Sequence, residues 1–252
     1  MHAPCHILIT GASSGIGAAL AVEYAAPGIC LSLHGRDVAR LESTAEQARR
    51  RGAVVALHNG DVTDAADMAA WIAARDAVRP LDLVIANAGI SGGTSRQPET
   101  AAQVAAIFAV NVGGAINTIQ PALDIMKKRG RGQIALVSSL AGFRGFAGAP
   151  AYCASKAAIR VYGEGLRADM APHGIAVNVI CPGFVKTPMT DVNPFPMPFI
   201  MPADRAARII RRGLEQNRAR IAFPFAMYVC ARILAAMPQA VMDAIAARMP
   251  RK

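Results

Sequence analysis

Aromatic residues are scarce in this chain of 252 residues, 5% with a single tryptophan. That scarcity argues against a single-strand nucleic-acid channel, in which successive bases stack on aromatic rings. The five cysteines, Cys5, Cys30, Cys153, Cys181 and Cys230, are odd in number, widely spaced and never paired as Cys-x-x-Cys. A disulfide framework is therefore excluded, and buried thiols in a reducing compartment are expected. His2, His6, His34, His58 and His173 lack metal-ligand spacing, so no metal is expected. There is no secretory leader pattern and no uncharged apolar run long enough to span a bilayer, which makes a cytoplasmic protein the default. No short-period repeat is present.

What is plentiful is apolar side chain, 53% of the residues, enough to bury a large core in one domain. Positive charge is also in excess, at a net +10, and it is unevenly placed. From Asp204 onward ten Lys/Arg stand against Asp204, Glu215 and Asp243 alone. These basic residues are interleaved with Ala, Ile, Leu and Met, which points to anionic lipid or a partner helix and not to nucleic acid.

Strand-like and helix-like segments alternate along the chain. Strands are expected at Cys5–Thr10, Cys30–His34, Val54–His58, Leu81–Ala86, Gln133–Ser138, Ile175–Cys181 and Ala219–Phe223. Helices are expected at Ile16–Ala26, from an Asp37 cap to Arg51, and at Asp64–Asp76, Glu99–Ile119, Tyr152–Ala171 and Ala203–Gln216. The strands are near-continuous apolar runs, as required when helices cover both faces of a sheet. The expected fold is α/β, doubly wound, with seven parallel strands. It occupies residues 1–223. The segment 188–203, with Pro188, Pro194, Pro196, Pro198 and Pro202 among Met and Phe, excludes a regular helix or central strand and reads as a substrate lid or an irregular connection. Residues 224–252 form an extension: an apolar stretch Phe225–Met237 and then Val241, Met242, Ile245 and Met249 at amphipathic helical spacing. It is suited to packing on protein or to lying on a membrane surface.

The chemistry concentrates in a few places. Gly11-Ala12-Ser13-Ser14-Gly15-Ile16-Gly17 follows the first strand and opens the first helix, where a pyrophosphate can rest on helix N–H groups. Tyr152 and Lys156 are four residues apart and share one helix face, where an ammonium can lower a phenol pKa that starts near ~10. Asn111 sits within an apolar helical run, where it is either a satisfied buried amide or part of a site. Ser138 and Ser139 close the fifth strand, at the carboxyl end where ligands bind in such folds, although serine at a strand end is equally common turn chemistry.

Taken together with Asn87-Ala88-Gly89 and Pro182-Gly183, the set Asn111, Ser139, Tyr152 and Lys156 resembles the short-chain dehydrogenase/reductase family from about Cys5 to Phe223. The resemblance implies a Rossmann-type fold and interconversion of a carbonyl and a secondary alcohol. Tyr152 would exchange the proton, Lys156 would depress the Tyr152 pKa and hold the nicotinamide ribose, Ser139 would position the substrate oxygen, and Asn111 would hold a water linking Lys156 to solvent. Gly11, Ser13, Ser14, Ile16 and Gly17 would line the pyrophosphate, and Asp61 and Val62 the adenine. Asn87, Ala88 and Gly89 would lie at the adenosine ribose and sheet centre, with Pro182, Gly183, Val185 and Thr187 at the carboxamide. Ala86 stands where the family more often has a second Asn. Members are commonly homodimers or homotetramers.

Arg36 opens the loop after the second strand, ahead of Asp37. An arginine there accommodates a 2′-phosphate, whereas a carboxylate would select the 2′-hydroxyl. NADP(H) is expected over NAD(H), with ketone reduction as the direction. The Met/Phe-rich lid and the tail suggest a lipophilic substrate such as a 3-oxo acyl or sphingoid-type ketone. An NAD-dependent alcohol dehydrogenase and a non-catalytic dinucleotide sensor or membrane scaffold are the alternatives.

Overall fold

The computed structural model describes residues 3–92, 99–193 and 195–241. In chain order the elements begin β1 (His6–Thr10), α1 (Gly15–Tyr24), β2 (Cys30–Gly35), α2 (Val38–Arg50), β3 (Val54–Asn59), α3 (Ala65–Val78), β4 (Leu83–Ala86) and α4 (Ala101–Phe108). A π-helical turn (Ala109–Gly113) leads into α5 (Gly114–Arg129), followed by β5 (Gly132–Val137), a 3-10 turn (Leu140–Phe143), α6 (Pro150–Met170) and β6 (Ile175–Pro182). The chain closes with β7 (Val185–Lys186), α7 (Pro188–Asp191), β8 (Met201–Pro202), α8 (Ala203–Glu215), β9 (Arg220–Phe223) and α9 (Phe225–Ala236).

Seven strands make one sheet in the order β3-β2-β1-β4-β5-β6-β9, and every neighbouring pair is parallel. The expected doubly wound architecture is therefore present. Alternation along β1 shows how the sheet is buried on both sides: Ile7 and Ile9 enter the core shared with Leu20 and Ile210, while Leu8 enters the one shared with Trp71 and Ile119. Helices α1 and α8 pack together over the first face, and α3 packs on α5 over the second. Chain order reverses at β1, which lies between β2 and β4. The crevice beyond the carboxyl ends of β1 and β4 is where ligands bind in such sheets.

Two helix starts are fixed by aspartate caps: Asp37, as expected, and Asp64, expected instead as the first residue of its helix. Asp37 accepts from Arg40 N at 3.0 Å, and Asp64 accepts from Asp67 N at 3.0 Å. The helix expected at Glu99–Ile119 differs: it starts at Ala101 behind a Thr100–Gln103 capping box, changes to π geometry at Ala109–Gly113 and runs on to Arg129 through Pro121. Buried Ala122, Leu123 and Met126 extend its apolar face beyond the proline, and that packing outweighs the lost hydrogen bond. Ala101–Arg129 is the one helix among the described residues long and apolar enough to cross a membrane, yet it packs on α3 and α6 as part of the fold.

The proline-rich segment was expected to lack regular structure and in fact contains α7, a single turn. Pro188 occupies its first position, where a missing N–H costs nothing. Met201–Pro202 pairs with Val185–Lys186, so the segment is tied down at its end. The apolar stretch after Pro224 forms α9 (Phe225–Ala236). Met242, Ile245 and Met249 lie outside the described residues, as does Pro194.

Candidate active site

The glycine loop is shaped by close backbone approach. A side chain at Gly17 would overlap the Gly11 carbonyl oxygen, and one at Gly11, where φ is +67°, would come within 2.8 Å of Ala88 Cα. Only glycine permits that conformation and that approach. Asn87 locks the loop to the end of β4: its Nδ2 donates to Thr10 O at 2.9 Å and Gly11 O at 3.2 Å. Thr10 Oγ1 accepts from Asn87 N at 3.1 Å and Ala88 N at 3.2 Å. Ser14 opens α1 without a side-chain capping bond, and the first turn of α1 has no acidic residue. Those amides can meet an anion.

Around this loop lies a cavity of about 150 Å³. Ser14, Ile16, Asn87 and Gly89 line it from one side, and Ser139, Tyr152 and Lys156 from the other. Pro182, Gly183, Val185 and Thr187 also line it, and Pro188, Met189 and Thr190 of α7 complete it. A larger surface cleft of about 320 Å³ between α1, α2 and α8, lined by Val22, Thr44 and Arg208, contains none of the expected site residues. Chemistry, not volume, identifies the functional cavity.

Tyr152 enters from the first turn of α6, and burial raises its pKa above the ordinary phenol value, opposed by a hydrogen bond with Ser139. Lys156, 4% exposed, is pushed down to about 8 by burial. Its Nζ donates to Val137 O at 3.0 Å and lies 5.8 Å from the Tyr152 ring centroid. The expectation that Lys156 sets a lowered Tyr152 pKa is thus corrected. Desolvation is the largest influence on the phenol, the Lys156 proton is directed at a carbonyl, and Ser139 is the group favouring the phenolate. A tyrosine kept protonated at neutral pH is suited to giving a proton to a carbonyl oxygen.

Asn111 stands in the π-helical turn and is fully engaged. Its Oδ1 accepts from Ile90 N at 2.8 Å, while Nδ2 donates to Ile90 O at 2.9 Å and Ser155 Oγ at 3.0 Å. Gly89 lies between the two groups: a Cβ there would be 3.1 Å from Asn111 Oδ1 and 3.2 Å from Lys156 Nζ. Ser138 is structural, its Oγ donating to Lys156 O at 2.6 Å. Ser139 Oγ accepts from Ala141 N at 3.1 Å, which holds the serine at the cavity edge.

The adenosine end lies away from this centre. Arg36 pairs with Asp61 at 3.7 Å, both largely exposed, and Ser13 packs against Gly35 just before Arg36. Bonds from Thr63 N and Oγ1, each 2.9 Å, lower the Asp61 pKa. Val62 is buried, and its carbonyl accepts from Asn117 Nδ2 at 3.0 Å. Two residues that the sequence reading gave no role contribute: Thr10, which braces the glycine loop, and Ser155, which carries the Asn111 contact and donates to Tyr152 O at 2.8 Å. A polar residue ending an apolar strand marks the first, and a serine immediately before Lys156 on α6 marks the second.

These residues fit a dinucleotide: a glycine cradle that any Cβ would fill, uncapped helix amides, and a proton donor and a cation beside one cavity. They define an NAD(P)-dependent oxidoreductase on a Rossmann-type scaffold. Comparison with known proteins agrees. The family model for short chain dehydrogenases matches residues 5–194. An uncharacterized oxidoreductase from Myxococcus xanthus is 40% identical over 243 residues, covering 96% of each chain. A ketoacyl reductase from Nostoc is 33% identical, covering 73% of this chain and 65% of its own. A short-chain dehydrogenase from Sphingobium yanoikuyae in complex with NADPH has a TM-score of 0.79 at 27% identity, over 97% of this chain and 96% of its own. A short-chain dehydrogenase/reductase from Burkholderia phymatum in complex with NAD has a TM-score of 0.83 at 25% identity, over 98% and 96%. The chain belongs to the short-chain dehydrogenase/reductase family.

Proposed function

We propose that the protein reduces a lipophilic ketone, of the 3-oxo acyl or sphingoid type, with NADPH. The observation that carries this reading is the meeting of Ser139, Tyr152 and Lys156 on one cavity that also receives the glycine loop. The bound dinucleotide supplies the hydride. Ser139 Oγ hydrogen-bonds the carbonyl oxygen and holds it against Tyr152 Oη, which delivers its proton as the oxygen gains charge. The product is the secondary alcohol. Lys156, anchored on Val137 O, holds the nicotinamide ribose in register with this pair.

Arg36 at the end of β2 supports NADPH, with Ser13 close by to receive a 2′-phosphate. Its pairing with Asp61 favours the alternative, an NAD-dependent alcohol dehydrogenase, because a guanidinium already paired offers less to a phosphate. The apolar lid supports a lipophilic substrate: Met189 lines the cavity, while Val192, Phe199 and Ile200 are exposed beside it in sequence. The ketoacyl reductase relative supports the same class. Exposed Phe108 on α4 and Val161 on α6 support assembly into a homo-oligomer through those helices.

The test is oxidation of NADPH and NADH against ketones graded by chain length, comparing the parent with Tyr152→Phe. Turnover with NADPH should rise with chain length. It should fall about 10²- to 10⁴-fold in the variant, the range for removing a general acid. Fast turnover of small polar sugars with none on long-chain ketones would overturn the substrate assignment.

A further inference from the structure

Helix α9 is firmly held by its inward face. Tyr228 meets the Phe143 ring edge-on at 5.6 Å, and Arg220 donates to Tyr228 Oη at 3.0 Å. Arg144 Nη1 reaches the far end, donating to Leu234 O at 3.1 Å and Met237 O at 3.0 Å. A helix docked in this way normally turns polar residues to water. This one does not. Phe225, Val229 and Ile233, one per turn, are 75%, 36% and 53% exposed. The helix has no acidic residue, and its only charge is Arg232. Isolated exposed hydrophobics are ordinary, but a contiguous apolar face calls for a partner.

Charge and length identify that partner. From Pro224 to the end of the sequence four basic residues, Arg232, Arg248, Arg251 and Lys252, stand against Asp243 alone. A second copy seated on the same face by a twofold axis would bring two such basic regions together, whereas an anionic surface neutralises them. The sequence beyond α9 keeps this character, with Met242, Ile245 and Met249 among Arg248, Arg251 and Lys252. At 12 residues α9 is only ~18 Å long, too short for a ~30 Å hydrocarbon core, so it can lie along a bilayer but not cross it. Its first turn adjoins the reaction cavity: a Cβ on Gly183, a cavity residue, would be 3.0 Å from Pro224 Cδ and 3.1 Å from Met227 Sδ.

We propose that the outward face of α9 binds the surface of an anionic phospholipid membrane, lying flat in the interface with the cavity mouth beside the lipid. This docking stands apart from the substrate assignment, since binding to vesicles is read without turnover. The full-length protein would be mixed with vesicles of phosphatidylcholine alone or with phosphatidylglycerol in equal parts, and bound protein measured by flotation. The parent should float with the anionic vesicles and not with the neutral ones. Val229→Glu combined with Ile233→Glu should reduce binding at least about tenfold, since each substitution removes an apolar anchor. Its rate on a short soluble ketone without vesicles should be unchanged. If that rate is lost, Val229→Ser with Ile233→Ser replaces it in the same assay. The proposal is overturned if the parent ignores anionic vesicles, or if the substituted protein binds them as well as the parent. It is equally overturned if sedimentation shows a dimer that these substitutions dissociate in a protein that does not bind vesicles.

Discussion

Asn111 grips Ile90 by both halves of its backbone, accepting from the amide at 2.8 Å and donating to the carbonyl at 2.9 Å. One side chain therefore fixes the turn just past Gly89, and its third bond, to Ser155, ties that turn to the helix carrying Tyr152 and Lys156. The buried amide is the link between two walls of the cavity. Asn111→Ala leaves the partly buried backbone groups of Ile90 unpaired, at up to ~1–3 kcal/mol each. A loss of about 2–4 kcal/mol by urea denaturation is expected, with kcat reduced more than the KM for NADPH is raised. A loss below ~1 kcal/mol would mean that the amide is dispensable to the wall.

Gly17→Ala tests the cradle. The added methyl would meet Gly11 O and the Asn87 Nδ2 that binds it, and backbone on one side leaves no flexible neighbour to yield. Dinucleotide affinity is expected to fall more than tenfold, the equivalent of at least ~1.4 kcal/mol. Fluorescence titration with NADPH measures it. Gly28→Ala is the informative contrast in space, because nothing lies within 4 Å of a Cβ there, although φ of +84° strains it.

The sheet could be read from the sequence because each central strand is an apolar run with both faces buried. The site could be read because its members lie at strand ends or within one helix turn. Other features left no trace. The π geometry at Ala109–Gly113 is a shift of hydrogen-bond register without its own composition, and the passage of α5 through Pro121 is decided by tertiary packing. The sign of the Tyr152 shift depends on how deeply the phenol is enclosed, which spacing along a helix does not specify. His34, His58 and Trp71 belong to three elements, and only the parallel register, with His34 opposite His58, brings them into contact.

Arg36 should govern the choice of dinucleotide. Charge-assisted hydrogen bonds are worth ~1.5–3 kcal/mol, so Arg36→Ala is expected to raise the KM for NADPH by about 10- to 100-fold. The KM for NADH should scarcely move. Asp61→Asn frees the guanidinium from its 3.7 Å partner while keeping the side-chain size, and should lower the KM for NADPH. An equal change for both dinucleotides in Arg36→Ala would remove Arg36 as the discriminator.

His34 makes the fold sensitive to acid. The ring is 2% exposed, packs 5.7 Å from both His58 and Trp71, and among the described residues neither nitrogen has a hydrogen-bond partner. Burial, reinforced by His58 and opposed by Asp67 and Asp61, lowers its pKa from 6.5 to about 4. In the unfolded chain the imidazole binds a proton at its ordinary pKa, whereas the folded protein resists until about pH 4. Between those values the unfolded state holds more protons, so stability falls as the pH drops from 6.5 toward 4 and the effect levels off below. At ~1.4 kcal/mol per unit, the share due to His34 is on the order of 3 kcal/mol. Replacing the ring with one that cannot take a proton, His34→Phe, should flatten that part of the profile while His58 keeps its 2.7 Å bond to Asp67. Urea denaturation of both proteins across this range measures the difference. Parallel profiles for parent and variant would show that the proton is taken up elsewhere.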